Sequence, residues 1–393
     1  MKIRKESKFT RIREAITKDG INYIIGLSGI PFPLEVIKEV IKIIEEEATP
    51  HFVDWKLENW PQIYHQELKK CVKLPYKGKE HFLPQVLIFD NIEKNLNLSN
   101  IHFSLMQTHF SLRNEVRALT ESSFEKLLNY LRRKRIFINE HKLRLVNIIE
   151  ECEKVTLIVQ SVEYKYYVHT NLVLDAKPKG RDQTLREALH SSGKLEDLDK
   201  SSLADLLGIN ILLFTADGSL IMQKRSKKVA FRTGELCPSA SGTLSLTDVP
   251  NVPNTITLKD MPKLREAFEE IGLITMDVPI DQIFFLGITR ELIRGGTADM
   301  FFFAQTNLSE KDVIEKRKDA RDRWESKKLI FFNFGSLARD DLNSQTKKHG
   351  FLSKVDDFID KYIDQSSIPL LTSVALWVKY RMEGNSDRKS NVA

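Results

Sequence analysis

The stretch that decides the reading is Leu264-Arg265-Glu266-Ala267-Phe268-Glu269-Glu270-Ile271-Gly272-Leu273. Leu264, Ala267, Phe268 and Ile271 recur at helical spacing and form an apolar stripe that can pack a helix against a sheet. Glu266, Glu269 and Glu270 stand at i, i+3 and i+4 and share the adjoining face. Gly272 suits the left-handed position that ends a helix, and Leu273 supplies the hydrophobic contact that often follows it. Asp260 is the candidate N-cap, with Pro262 tolerated in the first turn. Three carboxylates on one helical face repel one another, by roughly a few tenths of a kcal/mol per pair. A divalent cation removes that penalty, because carboxylate oxygens are what Mg²⁺ and Mn²⁺ select. A solvated acidic face is the plainer alternative, and spacing alone favours it.

Outward from this segment, strands are expected at Ile209–Phe214 and Leu220–Gln223, joined by the turn Ala216-Asp217-Gly218, and at Ile283–Ile288, Met300–Gln305 and Leu329–Phe334. Phe301, Phe302 and Phe303 cannot all face one way on a strand. A C-terminal helical pair, Lys354–Asp364 and Ile368–Met382, precedes a polar tail. Upstream, Tyr23–Leu27 is a short apolar run and Leu34–Glu47 has a helical pattern. Leu83–Phe89 reads as a strand, Ser122–Leu131 as a helix with a Ser N-cap, and Val155–Val162 and Tyr164–Leu174 as strands. The charged, turn-rich Ser191–Lys200 marks a domain boundary near residue 200. The expected organisation is α+β. A mixed α/β N-terminal domain spans 1–200, a second domain 201–345, and C-terminal helices with a polar tail 346–393.

The chain has 393 residues, 41% hydrophobic and 29% charged, which excludes a collagen-like or wholly disordered protein. Its longest apolar stretches, such as Ile368–Val378, are too short to span a bilayer. The basic N-terminus lacks the apolar region of a secretory signal. Cys71, Cys152 and Cys237 share no C-x-x-C spacing, so a cytoplasmic location is expected. The net charge of +6 suits anionic ligands without naming one. The basic run Arg132-Arg133-Lys134-Arg135 reads as a solvated helix end, and no nucleic-acid signature accompanies it.

Taken whole, Arg265-Glu266-x-x-Glu269-Glu270-x-Gly272-Leu273 resembles the second half of the Nudix box, G-x5-E-x7-R-E-U-x-E-E-x-G-U, where U is a bulky aliphatic residue. Leu220–Ser226 looks like the family's strand that runs into a basic residue before the box, and Cys237–Gly242 sits where the family carries a P-G-G turn. The resemblance covers about Leu206–Leu337 and implies a Nudix-like α/β/α sandwich with a mixed sheet. The departures are specific. Asn251 and Thr257 stand where the pattern has its glycine and first glutamate. If Gly242 is the equivalent glycine, the loop before the helix is longer than the pattern, and Asp248 or Asp260 would have to replace the missing acid.

The resemblance implies that Glu269 and Glu270 are principal ligands of Mg²⁺ or Mn²⁺ and that Glu266 is a further ligand or orients the attacking water. It further implies that the carbonyl near Gly242 completes the coordination and that Arg265 braces the glutamates. Glu325 is the candidate for an additional acid from a later loop. Arg225, at a strand end, and Arg290 and Arg294, before Gly295-Gly296, are the candidate phosphate contacts, although a plain hairpin turn also explains the glycine pair. The expected activity is metal-dependent hydrolysis of the pyrophosphate linkage in a nucleoside diphosphate joined to another group, such as ADP-ribose, a sugar nucleotide or a dinucleotide. The alternative is a catalytically weakened nucleotide sensor that regulates the N-terminal domain, with an RNA-binding role a weaker third. Many family members dimerise, so helix Ile368–Val378 could serve a homodimer, with intramolecular packing the default.

Overall fold

In the computed structural model, the described residues are 53–54, 57–134, 136–177, 182–226, 234–249, 256–262, 264, 268–320 and 326–383. Residues from His51 onward form one compact unit. The patterns read at Tyr23–Leu27 and Leu34–Glu47 lie outside the described residues.

After a short helix at Trp60–Ile63 and a 3₁₀ turn at Leu68–Lys70, the chain forms an antiparallel hairpin, β1 (Cys71–Tyr76) and β2 (Lys79–Asp90). Its two-residue turn is Lys77-Gly78, with φ of +49° and +70°. Both turn residues having positive φ is what a tight hairpin requires, here met by Lys-Gly rather than the more recognisable Asn-Gly. Strands β3 (Ile101–His109), β4 (His141–Glu150) and β5 (Val155–Glu163) follow, with helix α1 (Asn114–Arg133) between β3 and β4. Next come β6 (Gly208–Phe214), β7 (Ser219–Arg225), β8 (Leu236–Cys237), β9 (Ala240–Thr243) and the short β10 (Ile256–Thr257). The long strands β11 (Ile283–Glu291), β12 (Thr297–Gln305) and β13 (Ser326–Asn333) precede helices α2 (Gln345–Tyr362) and α3 (Ile368–Glu383).

Nine of these strands make one sheet, in the order β1-β2-β11-β12-β6-β7-β13, with β9 added to β6 and β8 to β7. The pair β12–β6 is parallel and the other neighbours are antiparallel. The fold is therefore mixed α and β around a mixed sheet. Strands from both sides of residue 200 share that sheet, because β2 pairs with β11 from Gly287 to Glu291. The boundary expected near residue 200 does not separate two sheets. A second sheet, β10-β3-β5-β4, likewise joins β10 to strands from before residue 200.

Strand β6 is buried along its whole length, as a central strand covered on both faces should be. Ile209, Ile211 and Leu213 face the second sheet and the segment Leu264, Phe268, Ile271 and Leu273. Leu212 and Phe214 face α2 and α3, where Phe214 stacks on Trp377 at 4.5 Å between ring centres. The phenylalanine triplet obeys the same alternation: Phe302 packs on the first side, Phe301 and Phe303 on the second. With both faces covered, all three are core, and none is offered to a ligand.

Two sequence expectations are corrected. Helix α1 begins at Asn114, so Ser122 lies inside it and caps nothing. Its buried residues Val116, Thr120, Ser123, Leu127 and Leu131 keep helical spacing, and the Thr120 hydroxyl hides in the helix by donating to the Val116 carbonyl. The stretch read as a strand, Tyr164–Leu174, is a short helix, Tyr164–His169, followed by a 3₁₀ turn, Asn171–Val173. Here burial of Tyr167, Val168, Leu172 and Val173 in one cluster overrides the β propensity of aromatic and branched residues.

Candidate functional site

The segment singled out in the sequence ends as expected. Gly272 is left-handed (φ +82°), its N–H donates to the Glu269 carbonyl, and the Leu273 N–H donates to the Phe268 carbonyl. These two bonds are the paired closure of a helix end, and Phe268 and Leu273 are both buried beside it. Glu269–Ile271 is a 3₁₀ turn, so the last turn tightens before it stops. Leu264, Phe268 and Ile271 are buried in the core, whereas Glu269 is exposed and Glu270 half-buried.

A cavity of about 390 Å³ opens beside this turn. Glu270, Gly242, Arg225 and Arg294 all line it, although they come from four separate elements. Gly242 sits in β9, opposite Ile209 of β6. Arg225 ends β7, where its backbone N–H is held by the Glu235 carbonyl. Among the described residues its buried side-chain Nε has no hydrogen-bond partner. Glu270 is half-buried and accepts from Gln223 Nε2 at 3.3 Å. Gln223 also donates to the Ser239 carbonyl at 2.8 Å, so its amide is fixed when it orients the glutamate. Arg294 bridges Glu291 at 2.7 Å and Asp299 at 2.5 Å. Burial opposes the Arg294 cation, but Asp299 and Glu291 outweigh it and hold its pKa well above the ordinary guanidinium value. A Cβ at Gly208 would lie 2.2 Å from Asp299 Oδ1 and would push against the Arg294–Asp299 pair.

The remaining expected site residues fall elsewhere. Glu269 is exposed and is not part of the cavity wall. Arg290 is buried, donates to the Gly296 carbonyl at 3.1 Å and the Glu196 carbonyl at 2.6 Å, and lies 3.7 Å from Asp205. It braces the β11–β12 hairpin, and a Cβ at Gly296 would come within 2.5 Å of its guanidinium. The hairpin explanation of Gly295-Gly296 therefore accounts for the pair. Asp260 ends a 3₁₀ turn, accepting from the Thr257 hydroxyl at 2.5 Å. Arg265, Glu266, Ala267 and Glu325 lie outside the described residues.

Mg²⁺ and Mn²⁺ take oxygen ligands, and Glu270 and Gly242 offer a carboxylate and a carbonyl on one wall, which fits in kind. Among the described residues no three His, Cys, Asp or Glu side chains gather into a metal-holding group. Wall residues not singled out in the sequence include Asn210, Asp299, Tyr164 and Tyr167. Asn210 carried a signal, being the one polar residue of the otherwise apolar strand Ile209–Phe214. Tyr164 and Tyr167 carried none, because they sit where a strand was expected and outside the Nudix-like segment. No protein-family model matches the chain, and no curated protein matches it significantly.

Proposed function

We propose that the cavity is the active site of a metal-dependent hydrolase acting on the pyrophosphate linkage of a nucleoside diphosphate joined to another group. The observation that carries this reading is the meeting of Glu270, Gly242 and Arg225 on one cavity wall, since these come from the parts of the sequence that resemble a Nudix domain. Glu270 and the carbonyl at Gly242 would hold Mg²⁺ or Mn²⁺, with Glu266 of the same segment as the further acid. When bound, such an ion screens phosphate charge and lowers the pKa of a coordinated water. Gln223 donates to the Glu270 carboxylate and so limits its orientations. Arg225 meets the phosphate charge with a guanidinium, a planar donor that matches phosphate oxygens. Arg294, neutralised by two carboxylates, serves as a fixed strut and contributes little net charge.

A second reading, a nucleotide-binding module without turnover, is favoured by the exposure of Glu269 away from the cavity. The two are separated by incubating the protein with ADP-ribose, sugar nucleotides, dinucleotides and nucleoside triphosphates in Mg²⁺ or Mn²⁺. The hydrolase reading expects turnover of at least one compound, reduced by about two orders of magnitude or more in Glu270→Gln. Saturable binding with no turnover of any compound would select the binding module instead.

A further inference from the structure

Tyr164 and Tyr167 stand three residues apart in one helical turn and therefore share a face. Both line the cavity that holds Arg225, Arg294 and Glu270, and their ring centres are 6.0 Å apart. A tyrosine hydroxyl with little exposure normally finds a hydrogen-bond partner. Tyr167 is buried and Tyr164 half-buried, yet among the described residues neither phenol oxygen has a partner, and neither is sealed from solvent. Both side chains belong to the cavity wall, so two unpartnered phenols stand beside its charged groups. Their charge neighbours place them there too: Tyr164 feels the Arg225 cation, and Arg294 feels Tyr167. Two phenols lie among two guanidiniums, and among the described residues the buried Nε of each guanidinium has no hydrogen-bond partner. Burial drives the Tyr164 pKa upward, so it stays an O–H donor at neutral pH.

We infer that Tyr164 and Tyr167 complete the anion subsite of this cavity, donating their O–H groups to the oxygens of a diphosphate whose charge is met by Arg225. The inference rests on the proposed reading of the cavity as a nucleotide site, and it gives the region before residue 200 a direct part in binding. The diphosphate is the moiety recognised, because phenols donate equally well to any phosphate oxygen and carry no preference for a base.

The test is calorimetric titration of the full chain with imidodiphosphate, a diphosphate whose P–N–P bridge resists hydrolysis, in the presence of Mg²⁺. Tyr164→Phe/Tyr167→Phe removes two oxygens and keeps both rings, so the thermal melt should stay near that of the unmodified protein. Affinity should fall by about tenfold or more, as expected for lost hydrogen bonds to a charged group. A merely structural role would shift the melt and leave the affinity alone. Unchanged affinity in the double variant, or no binding by the unmodified protein, overturns the inference. Tyrosine-dependent binding without turnover of any nucleotide would overturn the hydrolase reading alone. Turnover combined with unchanged affinity in the double variant would overturn the tyrosine subsite alone.

Discussion

Two buried histidines tie single side chains to the pH range of the fold. His169 stacks on Phe124 at 4.0 Å with the rings nearly parallel, and burial, with Arg117 adding to it, lowers its pKa to about 4. His190 lies 2.8 Å from the Tyr64 hydroxyl, and burial, then Arg186 and Arg290, take its pKa to about 3. Both are neutral in the folded chain, whereas the unfolded chain protonates them near 6.5. Stability is then complete above that value and falls as pH drops toward 4, because the unfolded state binds more protons there. At pH 5 each histidine should cost about 2 kcal/mol. Urea melts at pH 7 and pH 5 should differ accordingly, and His169→Gln should flatten part of the difference. Equal melts at the two pH values would contradict the account. Cysteine reactivity follows exposure in the same way. Cys152 is exposed, while Cys71 is buried and its thiol is pushed up to about 12, chiefly by burial. A thiol reagent should label Cys152 long before Cys71 in the folded protein.

At the level of elements, legibility tracked how local the determining forces are. The helix end at Gly272 was readable because its signal, a glycine and an apolar residue after a periodic stripe, is complete within ten residues. Its constraint is severe: a Cβ there would lie 2.5 Å from the Lys316 carbonyl oxygen, in a backbone conformation L-residues avoid. Gly272→Ala should destabilise by at least about 2 kcal/mol in chemical unfolding, the upper end of the left-handed penalty before the clash is added. A cost near zero would mean that the segment moves away from Lys316. Strands β6, β7, β11, β12 and β13 were readable for a like reason, being long apolar runs with turn signals between them. Tyr164–Leu174 was misread because its helix exists only through burial against α1 and β5. Strands β3 and β4 were missed because their outward residues are polar enough to mask the alternation. The site was half legible: the box supplied Glu270, the segments before it Arg225 and Gly242, and the Gly295-Gly296 turn Arg294, whereas Tyr164 and Tyr167 reach the cavity by tertiary folding alone.

On the scale of the molecule, described residues before 200 are bonded into the sheet that carries the site. Arg186 makes this concrete. It pairs with Asp175, donates to the Tyr64 hydroxyl at 2.7 Å, and reaches the carbonyls of Leu292 and Ile293 at 2.8 and 2.6 Å. Arg186→Met would strand a carboxylate and two carbonyls, at a cost of roughly 3–5 kcal/mol. Fragments 1–200 and 201–393 expressed apart should each fail to give a cooperative melt, since β11 would lose β2 and β10 would lose β3. Independent folding of either fragment would contradict this. Helix α3 completes the molecule from the other face: Trp377 is fully buried against Phe214 and Phe334, so the helix spends its apolar surface within its own chain. Among the described residues no helix is long and apolar enough to cross a membrane. The central claim is that the cavity beside Glu270 holds a divalent ion next to a diphosphate. A crystal soaked in Mn²⁺ tests it most directly: the account predicts an anomalous peak within about 2–2.6 Å of a Glu270 carboxylate oxygen, and a cavity wall without such a peak at saturating Mn²⁺ would contradict it.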